Sequence, residues 1–196
     1  LMFIMVMFSV CSYAQLPLEQ FDTWPVGAGG WSTYQNDVGT NLQWELSPLN
    51  TTALPARSPL HAAYMSRSNH PAGNPQDWLI TKGFTVQPES ELRFWSRLVA
   101  NQDQGSRYDV LISTNPNPAS GTFVSLVGPN GWGELEINPQ QQQYTEKILP
   151  IPSSYVGQTV YIAFKLTTVN DGDRWLIDDV SCLPKCVAPS NAVATN

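Results

Sequence analysis

At 196 residues the chain is long enough for one sizeable hydrophobic core and one domain of ordinary size. Charged residues make up 13% of it, ten Lys and Arg against sixteen Asp and Glu, for a net charge of −6. A surface so acidic and so sparsely charged argues against nucleic acid or an anionic membrane as partner, and points to neutral or cationic matter, divalent cations included.

The first residues, Leu1 to Val10, are almost wholly apolar, and Ser12-Tyr13-Ala14 sets small residues at the two positions a signal peptidase reads. This pattern predicts a secretory signal over residues 1–14, starting inside its own leader, with Gln15 as the first mature residue. The alternatives are a membrane anchor, although the apolar run is about half of the ~20 residues a spanning helix needs, and a lipid-modified Cys11. All three export the protein, and no later stretch is apolar enough to insert in a membrane.

From there the chain reads as all-β. Sixteen Pro and thirteen Gly punctuate short alternating runs. In chain order the predicted strands are Leu42–Leu46, Ala62–Met65, Trp78–Thr81, Leu92–Leu98, Tyr108–Ser113, Phe123–Val127, Tyr144–Leu149, Val160–Leu166 and Trp175–Val180. The period is clearest in the eighth, where Val160, Ile162, Phe164 and Leu166 point one way and Tyr161 and Lys165 the other. Asn115-Pro116-Asn117-Pro118 and Gly128-Pro129-Asn130-Gly131 mark turns, and a helical turn is expected only near Ser153–Val156. Many short strands without helices predict a two-sheet antiparallel β-sandwich, a jelly roll, over residues 15–184. Beyond Pro184, residues 185–196 resemble the opening strand of a fibronectin type III domain, so the chain reads as one module of a longer polypeptide, cut at both ends. Cys182 and Cys186 are expected to close a small disulfide loop in an oxidising compartment, or one of them to pair elsewhere.

Five motifs appear in a fixed order: Gln76-Asp77-Trp78-Leu79-Ile80-Thr81, Leu92-Arg93-Phe94-Trp95, Tyr108-Asp109-Val110-Leu111-Ile112-Ser113-Thr114, Tyr155 to Phe164, and Trp175-Leu176-Ile177-Asp178-Asp179-Val180. The series resembles the cleaved-adhesin or choice-of-anchor J module of Bacteroidetes surface proteins, similar in plan to MAM and concanavalin-like jelly rolls, over about Leu18 to Cys182. The resemblance implies a non-enzymatic, secreted or cell-surface module for adhesion, haemagglutination or attachment, set among other domains of the same polypeptide.

Calcium is the cofactor to test. A hard cation takes six to eight oxygens, and adjacent Asp178 and Asp179 on an apolar strand are expected to face opposite sides of the sheet, leaving at least one partly buried. The resemblance implies that one of them meets Glu19 or Asp22 from the N-terminal strand, with Asp37 or Asp77 completing a structural calcium site. The segment Tyr34–Asn41, acidic in much of the family, holds a single carboxylate here. Without a cation, the buried Asp caps loop N–H groups or pairs with Arg174. Asp171-Gly172-Asp173 reads as a solvated turn.

For a protein or glycan ligand the candidate residues are Trp31, Tyr34 and Trp132, which fall with Trp24 in Gly- and Pro-rich loops. Trp44, Trp78, Trp95 and Trp175 lie on predicted strands and read as core. Catalysis finds little support. His61 and His70 sit in a Pro- and Ser-rich loop, away from any strained nucleophile turn. Glu134 and Glu136, sharing a strand face, are the nearest approach to a glycosidase pair. The readings carried forward are an attachment module, a carbohydrate-binding module and a structural spacer.

Overall fold

The structure, a computed structural model, describes residues 15–39, 42–49, 51–67, 74–168 and 172–185. The expected signal segment 1–14, His70, Asp171, Cys186 and the fibronectin-like end lie outside the described residues.

Among the described residues twelve strands follow in chain order: β1 (Leu16–Glu19), β2 (Ser32–Gln35), β3 (Glu45–Leu46), β4 (Ala63–Met65), β5 (Gln76–Ile80), β6 (Phe84–Thr85), β7 (Ser90–Leu98), β8 (Arg107–Ser113), β9 (Val124–Ser125), β10 (Thr145–Pro150), β11 (Thr159–Thr167) and β12 (Trp175–Pro184). They form two six-stranded sheets. The first runs β10-β7-β12-β4-β3, with β1 also on β12; the second runs β2-β5-β11-β8-β9, with β6 on the start of β11. Every strand pairing is antiparallel. The expected two-sheet sandwich is what forms, because the period-two runs bury one face of each sheet against the other.

The long strands β7, β8, β11 and β12 match their predicted runs. Leu42–Leu46 and Phe123–Val127 shorten to two-residue ladders, and the turn near Ser153 is a 3-10 turn over Ser153–Tyr155. Gly133–Ile137, read as strand-like, instead opens the four-residue helix α1 (Glu134–Ile137), where Glu136 Oε2 accepts the Gly133 N–H at 2.7 Å. No helix among the described residues is long and apolar enough to cross a membrane.

The core between the sheets centres on Trp175, whose ring meets Trp44 at 5.4 Å, Tyr108 at 5.2 Å and Phe164 at 6.0 Å, all edge to face. An indole N–H in such a place needs an acceptor. Trp175 donates to Ser96 Oγ (2.9 Å), Ser96 Oγ donates to Asn138 Oδ1 (2.7 Å), and Asn138 Nδ2 returns to the Ser96 carbonyl (2.8 Å). This buried relay ties α1 to β7 and β12. Asn138→Ala is expected to strand the Ser96 hydroxyl and carbonyl at a cost of about 2–4 kcal/mol, read as a fall in midpoint at unchanged slope in chemical denaturation.

Candidate functional site

Two regions concentrate chemistry, an acid clamp on the first sheet and an aromatic face on the second. The clamp arises from a bulge. The β12–β7 register breaks between Asp178 and Ser181, and Asp179 takes a left-handed φ of 50°. The extra residue cancels the alternation, so Asp178 and Asp179 do not face opposite sides as expected; both turn toward the segment Arg57-Ser58. Asp178 is wholly buried. Its Oδ2 accepts the backbone N–H groups of Arg57 and Ser58, both at 2.9 Å, and its Oδ1 accepts Ser58 Oγ (2.7 Å) and the Asp179 N–H (2.8 Å). Burial pushes its pKa above the usual carboxylate range, against the pull of these Ser58 and Arg57 donors. Asp179 accepts Gln20 Nε2 at 3.0 Å and pairs with the Arg57 guanidinium, which stacks 3.9 Å over the Trp95 ring. Trp95, expected in the core, therefore lies half-buried on the outer face.

The six expected calcium ligands are not gathered. The N-terminal residue that reaches the pair is Gln20, whereas Glu19 caps its own Phe21 N–H at 2.9 Å and Asp22 is exposed. Asp37 and Asp77 belong to the other sheet, Asp37 exposed beyond β2 and Asp77 buried on β5. Among the described residues no three His, Cys, Asp or Glu side chains are placed to hold a metal ion. The donor chemistry agrees: the oxygens of Asp178 and Asp179 already face N–H and O–H groups and a guanidinium, which repel a cation, so the arrangement does not fit bound calcium. The partner of the pair is Arg57, not Arg174.

Asp77 differs from the clamp acids. It is 3% exposed, its Oδ2 has no hydrogen-bond partner, and burial pushes its pKa up to about 7. Asp173, read as part of a solvated turn, is 1% exposed and receives the backbone N–H groups of Val99, Ala100 and Arg174. Glu134 is also buried, accepting the Gln104 N–H (2.7 Å) and Ser106 N–H (3.0 Å), while Glu136 is exposed. The two glutamates thus part company on α1 and do not form a facing pair. His61 is half-buried, its Nδ1 2.6 Å from the Ser47 carbonyl oxygen. Cys182 is buried, and burial pushes its thiol up to about 12.

Trp31 is not a surface ligand-binding residue; at 3% exposure it packs edge to face on Phe21 inside the core. Trp132 is half-buried at the sandwich edge, with Lys147 Nζ 5.4 Å above its ring. Tyr34 is half-buried on β2, cross-strand from Trp78. It belongs to an aromatic cluster on the outer face of the second sheet, where Trp78 meets Tyr34 at 6.2 Å and Phe123 at 5.5 Å, with Tyr161 packed alongside. Trp78 is buried, as expected, but in this second cluster rather than between the sheets. Ala163 on the intervening β11 leaves room for the Trp78 and Phe123 rings to meet. Lys165 follows on the same face, 5.3 Å from the Trp78 ring and 3.4 Å from Asp109 Oδ2.

At the β8 edge the face continues into a polar cleft of about 620 Å³, lined by Arg107, Glu136 and the Val127–Gly131 turn. Trp132 pairs with Tyr108, so Gly131 and Gly133 lie opposite Asp109 and Arg107. A Cβ on Gly133 would come within 2.6 Å of Arg107 Nη1, and one on Gly131 (φ 62°) within 2.9 Å of the Tyr108 carbonyl oxygen. The missing side chains let this segment approach β8 and Arg107 closely.

This is an all-β sandwich module whose richest surface is a sheet face with an adjoining cleft. The profile of the Cleaved Adhesin Domain family matches residues 16–182, and the chain belongs to that family, as the five motifs implied. The chain is 26% identical over 179 residues to Hemagglutinin A of Porphyromonas gingivalis, a match covering 83% of this chain and 8% of that protein. It therefore spans a small fraction of that relative's length. A cleaved adhesin domain of Lys-gingipain from Porphyromonas gingivalis superposes with a TM-score of 0.60 at 22% identity, covering 86% of this chain and 97% of that one. A structure of carbohydrate-binding modules of the β-sandwich superfamily superposes with a TM-score of 0.53 at 16% identity, covering 80% and 58%. These two structural likenesses establish the fold.

Asp178→Ala is expected to leave the Arg57 and Ser58 donors unpaired and cost about 3–5 kcal/mol, a drop in melting temperature of roughly 6–20 °C. Melting curves of the parent chain in excess calcium and in chelator are expected to coincide; a calcium-dependent rise that Asp178→Ala removes would put a cation back in the clamp. For Asp77 the folded pKa of about 7 exceeds the unfolded value of about 3.9. As pH rises the unfolded chain loses this proton first, so Asp77 lowers stability progressively between about pH 4 and pH 7 and holds it down above. Asp77→Asn is expected to melt higher than the parent at pH 8, with the gap closing toward pH 4.

Proposed function

We propose that the chain is an extracellular, non-catalytic attachment module of a larger surface protein, fastening that protein to a cell surface or polymer. One observation carries the reading: the cleaved adhesin profile spans residues 16–182, nearly everything the structure describes. The haemagglutinin relative supports a cell-surface target, and the small share of that protein covered supports a module set among further domains. The acids agree with a role without bond-breaking. Glu134, Asp173 and Asp178 are each committed to loop N–H groups, and Glu136 caps α1, so among the described residues these four acids form no pair poised to flank a scissile bond. The haemagglutinin relative and the apolar run Leu1 to Val10 support export.

Attachment modules work by many weak contacts acting together, so the test is multivalent. Beads coated with the purified chain are expected to be retained on erythrocytes and on epithelial monolayers far above beads carrying the heat-unfolded chain. Equal retention of the two would overturn the attachment reading and leave a spacer between other domains.

A further inference from the structure

We propose that the outer face of the second sheet, with its adjoining cleft, is a platform for an uncharged oligosaccharide; the proposal rests on the attachment reading and names the ligand class for it. Tyr34, Phe123 and Tyr161 are each half-buried around Trp78, so their remaining faces and edges meet solvent across several strands of one rigid sheet. Flat rings fixed by a sheet offer apolar area at little entropic cost, and the C–H faces of a pyranose stack on such rings.

Polar groups on this face are incompletely used. The Trp78 side chain is 7% exposed, yet its indole N–H has no hydrogen-bond partner, whereas Trp44 donates to the Asp77 carbonyl and Trp175 to Ser96. A buried donor left unpaired is costly, but this one is closed off from solvent, so the ligand contacts on this face fall to the half-buried rings and the exposed Arg107 and Glu136. Arg107 and Glu136 line the cleft without an ion pair joining them among the described residues.

Charge selects among occupants. Lys165 offsets Asp109 at 3.4 Å on the face, and Arg107 offsets Glu136 in the cleft. Each of these two pairs sums to zero charge, which favours neither an acidic nor a basic partner locally, although the whole chain carries −6. Aromatic floor, donors and acceptors of both signs, and no net charge together suit a molecule with apolar faces and hydroxyl edges, which is an uncharged sugar chain. Arg107 stands two residues from Asp109 on the same face of β8, about 7 Å along the strand, so the cleft and the rings lie side by side and serve successive sugar units.

The test is affinity electrophoresis of the purified chain through gels containing a neutral polysaccharide, with galactan, xylan, mannan and β-glucan each tried. Retardation is expected in at least one. Tyr161→Ala and Phe123→Ala are each expected to weaken it roughly tenfold, Arg107→Ala to weaken it as well, and Leu18→Ala, exposed on the first sheet, to leave it unchanged. Migration unaffected by all four polysaccharides, or retardation that survives both aromatic substitutions, would overturn the proposal. Should Phe123→Ala prove unfolded by circular dichroism, Tyr161→Ala and Arg107→Ala decide. The same variants on beads separate the two readings: retention on erythrocytes that persists with Tyr161→Ala and after periodate treatment of the cells means attachment through a protein partner elsewhere, which sinks the sugar platform and leaves the attachment module standing.

Discussion

A carboxylate taken out of water must be surrounded by donors or it destabilises the fold, and this sandwich turns that constraint into architecture three times over. Asp178 draws in Arg57 and Ser58, Asp173 draws in Val99 and Ala100, and Glu134 draws in Gln104 and Ser106. In each case the acid stands on or beside a regular element and the donors belong to a loop or strand end. Each carboxylate thereby ties distant backbone to the element that carries it. Asp77 stands apart, a buried acid whose Oδ2 has no hydrogen-bond partner and whose pKa burial pushes up to about 7.

The strands were legible because their alternation is strict. Val160, Ile162, Phe164 and Leu166 fall on the core side of β11, while Tyr161 and Lys165 fall outside, where they join the aromatic face and its ion pair. That face was therefore half visible in the sequence, although Tyr34 alone among its rings stood out as a candidate. Phe123 and Trp78 were hidden for a physical reason: which aromatic rings meet depends on the strand order β5-β11-β8 and on a small residue, Ala163, between them. Neither is a property of any single segment.

The failures share a cause. Asp178 and Asp179 were placed on opposite faces by a rule that a single bulge cancels, and the left-handed conformation at Asp179 carries no clear mark in its residue type. Trp31 sits among glycines like a loop residue, yet the Val26–Trp31 bridge folds that turn back so that its ring fills the core beside Phe21. The acidic turn near Asp173 looked solvated because its backbone donors lie about seventy residues earlier in the chain. Local pattern reports alternation well, but donors and lids that arrive from distant segments leave no trace in it.

The pairing of β1 with β12 sets how the module meets mechanical load. Leu16 lies opposite Cys182, and the strands run antiparallel, so the chain enters and leaves at the same pole. In a polypeptide that continues past both points, tension across Leu16 and Cys182 pulls the two strands apart from their open end, breaking ladder bonds one after another rather than all at once. A module held this way meets load first at the β1–β12 ladder, where Leu16 is itself part of the core that Trp175 occupies.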